Sequence, residues 1–231
     1  MDKSKLALFF HTLKYLKLKQ IYYKIFYTFK NIFLKNKIDN KLEYIPQKIV
    51  FNLGVATKTA YKDKVFTFLN LEHQFEKIDW NYSKFGKLWT YNLNYFDFLN
   101  QEDISKQEGL ALIHNYIKRS HNLKDGLESY PISLRIINWI RFISKHKIKD
   151  KKIDSILAKH LSLLNKNLEF HLLGNHLLEN TFALLFGSYY FGDEIIYRKS
   201  KKILESELKE QILIDGAHFE LSPMYHQLIL T

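Results

Sequence analysis

The chain has 231 residues, 46% of them hydrophobic and 16% aromatic, which is enough to bury a core and excludes general disorder. Its formal charge is +11, and nearly all the basic residues are lysine, the arginines being Arg119, Arg135, Arg141 and Arg198. The absence of cysteine excludes disulfides and thiolate metal sites, and the lack of zinc-finger spacing or an RNA-binding signature gives no reason to expect a nucleic-acid partner.

Residues from about Leu6 to Leu34 carry apolar positions at helical spacing, among them Leu13, Leu16, Ile21, Ile25 and Phe29, interleaved with lysines. The spacing predicts an amphipathic helix that docks on the body of the protein. A membrane-surface helix is the alternative, which leaves peripheral membrane contact open as a partner class. Leu6 to Phe10 is too short for the apolar part of a signal peptide, and no uncharged run reaches transmembrane length. The expectation is a cytoplasmic address with no integral membrane segment, a periplasmic one being the alternative.

From Ile45 to about Asn100 the pattern changes. Ile49-Val50-Phe51 and Val65 to Leu69 read as extended, and Trp80, Trp89, Tyr91, Tyr95 and Phe96 crowd the end of the stretch. We expect an irregular, aromatic-rich collar, so that residues 1–100 hold the basic helix and collar while 101–231 hold a helical body. In that body the periodicity predicts helices near 103–121, 131–146, 150–169, 174–190, 194–214 and from 222 onward. Short breaks between them imply antiparallel neighbours, hence a mostly α fold of helical hairpins: a bundle, a solenoid or an α/α toroid. With antiparallel neighbours, the helices that start near 131, 175 and 222 begin at one rim, where free N–H groups and dipole ends favour anions.

Three polar clusters sit at those starts. Glu128 to Arg135 places Pro131 at the first helical position, where its missing N–H is no loss, and Arg135 about one turn in, where a guanidinium can hold a carboxylate by two parallel bonds. A pair with Glu128, or plain solvation, would also account for Arg135. His171 to Asn180 offers Asn175 and His176 for a cleft, with Glu179 on the face of Asn175. Helix capping alone would also explain Asn175. The spacing of His171, His176 and Glu179 matches no specific metal-ligand motif, and no metal is expected. Asp215 to His226 contains a strong start at Ser222-Pro223 and places Tyr225 in the first turn, where a dipole and nearby His218 or His226 would favour its phenolate. A packed Tyr–His pair beneath a cap is the alternative.

At these clusters the chain resembles the heparinase II/III-like family, including the related alginate lyases. The resembling stretches are Leu88 to Phe96, Tyr130 to Trp139, Gly174 to Asn180 and Asp215 to His226, in that order. The resemblance implies a partial α/α toroid followed by a C-terminal β-sandwich, and β-elimination on a uronic acid unit of an acidic polysaccharide. It implies Asn175 and His176 as the groups that neutralise the uronate carboxylate and Tyr225 as the proton-transferring tyrosine. Tyr130, Arg135, Glu179, His218 and His226 are the expected substrate-binding set, and no cofactor is required. The basic N-terminal helix also resembles that of members associated with bacterial surface polysaccharides. Because the sequence stops at Thr231, within the helix that carries Tyr225, we expect the β-sandwich to be absent and the lyase to be incomplete.

Two other functions are compatible with the residues. One is a non-catalytic remnant that binds acidic glycans or serves as a scaffold. The other is an α/α-toroid glycoside hydrolase, for which Asp215 with Glu179 or Glu220 is the carboxylate pair to nominate.

Overall fold

The structure is a computed structural model that describes residues 16–33, 59–119, 122–223 and 227. Helix α1 spans Leu18–Phe33, and residues 6–15 of its expected range lie outside the described residues. A small antiparallel meander follows: β1 (Tyr61–Lys62), β2 (Val65–Phe68) and β3 (Leu71–Gln74), in the order β1-β2-β3. Both hairpins are closed by two residues at positive φ, Asp63-Lys64 and Leu69-Asn70, the backbone that matches strand twist in a two-residue turn.

The expected irregular collar contains a helix. Helix α2 covers Lys87–Tyr95, between Gly86 at φ 88° and Phe96 in the left-handed region at φ 65°. A single 3-10 turn, Asp97–Asn100, then leads to the helical body. The collar aromatics are core. Phe96 stacks on Trp80 with centroids 5.0 Å apart and meets Tyr116 and Trp139 edge-on at 5.2 and 5.3 Å. Such pairs add roughly 0.5–1.5 kcal/mol each beyond area burial, and they join the collar to the helices that follow.

Those helices are α3 (Lys106–Arg119), α4 (Ser129–Lys145), α5 (Lys151–Lys166), α6 (Gly174–Phe191) and α7 (Glu194–Gln211). Local chemistry sets their starts. Ser105 and Glu108 exchange hydrogen bonds in a capping box ahead of α3, and Asp150 and Asp193 cap α5 and α7. Pro131 falls third in α4, still inside the first turn whose N–H groups have no helical acceptor.

Side-chain contacts fix the directions. Gly109, early in α3, lies against Phe142, late in α4. Ser129, at the start of α4, donates to the carbonyl of Asn167 just beyond α5. Tyr190, at the end of α6, donates to Asp154 at the start of α5 over 2.8 Å, and Gln211, at the end of α7, donates to Gly174 O at the start of α6 over 3.1 Å. Sequential helices are therefore antiparallel, while α4 and α6 run the same way, joined near their starts by Asn180 Nδ2 and Ser133 Oγ at 3.1 Å. The protein is mostly α, and the N-termini of α4 and α6 share one rim. The helix expected from 222 lies mostly outside the described residues.

Candidate functional site

The rim is built around a tight reversal between α5 and α6. Leu173 adopts φ 60° and ψ −156°, and Gly174 follows at φ 59°. A non-glycine residue in such a conformation costs about 1–3 kcal/mol and persists only where its surroundings impose it. Here the buried Leu173 side chain and a hydrogen bond from its N–H to Glu169 O at 3.0 Å hold the turn from one side. Gln211 holds it from the other: its Nε2 donates to Gly174 O and, over 3.0 Å, to Glu207 Oε2. The turn delivers Asn175 and His176 at the first turn of α6. Leu173 occupies the N-cap position, so capping does not explain Asn175.

His176 is oriented by groups behind it. Its Nδ1 stands 3.4 Å from Glu169 Oε2, and its ring lies 4.6 Å, centroid to centroid, from Tyr130. Glu169 is in turn fixed by the fully buried Asn180, which accepts from the Glu169 N–H at 2.9 Å and donates to Glu169 Oε2 at 3.0 Å. Tyr130 extends the surface to Tyr95 at 5.8 Å, and Tyr95 to Tyr91 at 6.4 Å. Tyr91 donates to Glu128 over 2.7 Å, and Lys87 pairs with the same carboxylate at 2.9 Å. A line of four rings thus runs from α2 through the start of α4 to α6.

Glu179 sits a turn below His176, partly buried. Burial chiefly, with the charge of Asp97 adding and His176 opposing, pushes its carboxyl up to about 7. Asp97 itself is raised by burial and held by a hydrogen bond from Asn138 Nδ2.

A cleft of about 430 Å³ opens beside Asn175 and His176. Lys17 just ahead of α1, Gln20 of α1, Glu210 at the end of α7, and Glu220 complete its walls. The Glu220 carboxylate lies over Gly174, where an added Cβ would stand 2.9 Å from its Oε1.

Arg135, expected at the rim, lies instead in the core. It is fully buried, donates through Nη1 to Asn94 O and through Nη2 to Gly126 O, both at 2.9 Å, and lies 4.9 Å from the Tyr116 ring. It ties α2 to the loop before α4 and has no open side for a ligand. His218 is also buried, with Nε2 3.1 Å from Gln211 Oε1, so it braces the turn from beneath. Asp215 is exposed in a hairpin tip, accepting from the Ala217 N–H at 3.0 Å. Tyr225 and His226 lie outside the described residues. Among the described residues no three His, Asp or Glu side chains gather as a metal-binding group.

The structure therefore brings together Tyr130, Asn175, His176 and Glu179. Sequence reasoning missed Glu169, Tyr91 and Tyr95 as their neighbours. A carboxylate within the apolar run Leu168-Glu169-Phe170, directly before the second cluster, was the signal for the first of these.

Residues 129–231 match the family model of the heparinase II/III N-terminus. No curated protein and no solved structure matches the chain. The matched segment begins at the first residue of α4 and takes in Tyr130, Asn175, His176 and Glu179, so over this segment the chain is similar to the heparinase II/III N-terminal family.

Proposed function

We propose that this rim binds an acidic polysaccharide and belongs to a polysaccharide lyase that acts by β-elimination at a uronic acid unit. The observation that carries the reading is the placement of Asn175 beside His176 at the first turn of α6, on an open cleft, with the imidazole oriented by Glu169 and flanked by Tyr130. Loss of the C5 proton leaves negative charge on C5 and the adjoining carboxylate. Donors already aimed at that carboxylate stabilise the transition state without reorganising. The Asn175 amide, the His176 imidazole and the N-terminal end of α6 are such donors. The electron pair then forms the C4–C5 double bond, the C4–O bond breaks, and the leaving glycosidic oxygen takes a proton. Tyr225 is the residue that the family resemblance assigns to proton transfer. Glu179, poised near neutrality beneath His176, is able to bind a sugar hydroxyl as donor or acceptor without adding a full negative charge.

Product masses test this against hydrolysis. A panel of uronate polysaccharides is digested and the ends are analysed by mass spectrometry. Elimination gives chain ends lighter by one water than hydrolysis does, and Tyr225→Phe and Asn175→Ala are expected to slow their appearance sharply. Saturated ends on both fragments would overturn the reading in favour of a hydrolase. Binding with no cleavage would leave an acidic-glycan-binding protein.

A further inference from the structure

Helix α1 meets the rest of the protein through its less apolar side. Gln20 Nε2 donates to Leu172 O at 3.1 Å, Tyr27 Oη to Leu168 O at 2.6 Å and Lys30 Nζ to Asn167 Oδ1 at 3.0 Å, while Tyr23 stacks on Phe170 at 4.6 Å. The partner surface is the loop between α5 and α6, which presents carbonyls and so selects donors, together with Glu207 and Glu210 of α7, which pair with Lys19 and Lys17. The opposite side of α1 carries Leu18, Tyr22, Ile25 and Phe26, which remain 85%, 63%, 53% and 45% exposed. These fall at i, i+4, i+7 and i+8, one continuous stripe of a helix.

Charge identifies what fits that stripe. Residues 16–30 hold Lys17, Lys19, Lys24 and Lys30 and no acidic residue. Lys17 and Lys19 pair with Glu210 and Glu207 of α7 and Lys30 binds the loop before α6, while Lys24 is exposed. Residues 1–37 of the sequence hold nine lysines against the single Asp2. On helical geometry Lys19 and Lys24 border the stripe, one on each side. An apolar stripe bordered by lysines and carrying tyrosine and phenylalanine is suited to lie in the headgroup region of a bilayer. A second protein fits less well, because a stable interface takes roughly 20–30 residues a side, far more than this stripe offers. No described helix is long and apolar enough to cross a membrane, so contact would be lateral.

We infer that α1 is a peripheral membrane-docking helix that seats the protein on anionic lipid, its apolar stripe in the headgroup layer and its other side clamped to the loop before α6. Lys17, just before this helix, and Gln20 on its clamped side also line the candidate cleft, so docking would fix the cleft's position relative to the lipid surface. The inference does not depend on the chemistry of the cleft.

The test is sedimentation of the full chain with vesicles of phosphatidylcholine containing phosphatidylglycerol, beside vesicles of phosphatidylcholine alone. The chain is expected to pellet with the anionic vesicles and to be released by high salt. Ile25→Ser combined with Phe26→Ser is expected to weaken binding by about tenfold or more, and Lys24→Glu to weaken it several-fold. Circular dichroism and thermal melting check the fold, which exposed positions leave unchanged. Failure of the folded chain to bind anionic vesicles, or equal binding by the double serine variant, would overturn the inference. A concentration-dependent dimer that the serine variant dissolves, without vesicle binding, would overturn it in favour of self-association.

Discussion

At the scale of single residues, burial separates side chains that can meet a ligand from those that hold the rim in place. Asn175 and His176 stand on the cleft, and their replacement by alanine removes donors without emptying the core. Each change is expected to lower the elimination rate by about 10²–10³ with little change in melting temperature, as initial rates and thermal unfolding of the same preparations would show. Arg135 is the converse. Arg135→Ala strands the carbonyls of Asn94 and Gly126 and opens a cavity under Tyr116, so about 3–5 kcal/mol of stability should be lost in urea unfolding. Glu179 couples folding to pH. Folding lifts its carboxyl from an ordinary 4.5 to about 7, so across that interval the folded chain binds more protons than the unfolded one. Stability therefore falls as pH rises through it, by at most about 3 kcal/mol. Glu179→Gln is expected to flatten that part of the stability–pH curve, and an unchanged slope would show that the carboxyl is not held in this way.

At the scale of elements, helices packed face to face were legible because their apolar periodicity is long and their breaks are plain. The boundaries of α4, α5, α6 and α7 fall within three residues of those read from the sequence at every end. Helix α2 was not legible. Its run Thr90-Tyr91-Asn92-Leu93-Asn94-Tyr95 is, apart from Leu93, made of weak helix formers, and it is helical because Trp89, Leu93 and Phe96 are buried together. The meander was hard to read for a related reason: its turns use Asp63-Lys64 and Leu69-Asn70, with no glycine to mark them. Helix α1 shows a different limit, since periodicity identifies an apolar stripe but not whether it faces inward. Gln211 links two elements, and Gln211→Ala leaves Gly174 O and Glu207 without that donor. We expect a loss of about 1–3 kcal/mol together with reduced activity, because the turn that presents Asn175 is released. Unfolding and rate measurements on one variant would detect both.

At the scale of the whole molecule, parallel α4 and α6 set their N-termini side by side, and everything the candidate site uses is hung on that rim. The sequence clusters at 128–135 and 171–180 revealed the rim because capping and turn residues are locally encoded. They did not reveal the roles within it, since the burial of Arg135 and His218 depends on packing from α2, α3 and α7 that no local pattern carries. Net charge acts at this scale too. A chain of +11 attracts polyanions in general, and that long-range attraction is screened by salt.

The central claim is that the rim recognises a uronate carboxylate and lowers the barrier to loss of the neighbouring proton. The most direct measurement is the ultraviolet absorbance of the new C4–C5 double bond, followed for one uronate polymer and for the same polymer with its carboxyl groups reduced to alcohols. The expected result is a steady rise with the acid form, none with the reduced form, and loss of the rise in His176→Ala. An equal rise from the reduced polymer, or no rise from any uronate polymer with a folded protein, would contradict it.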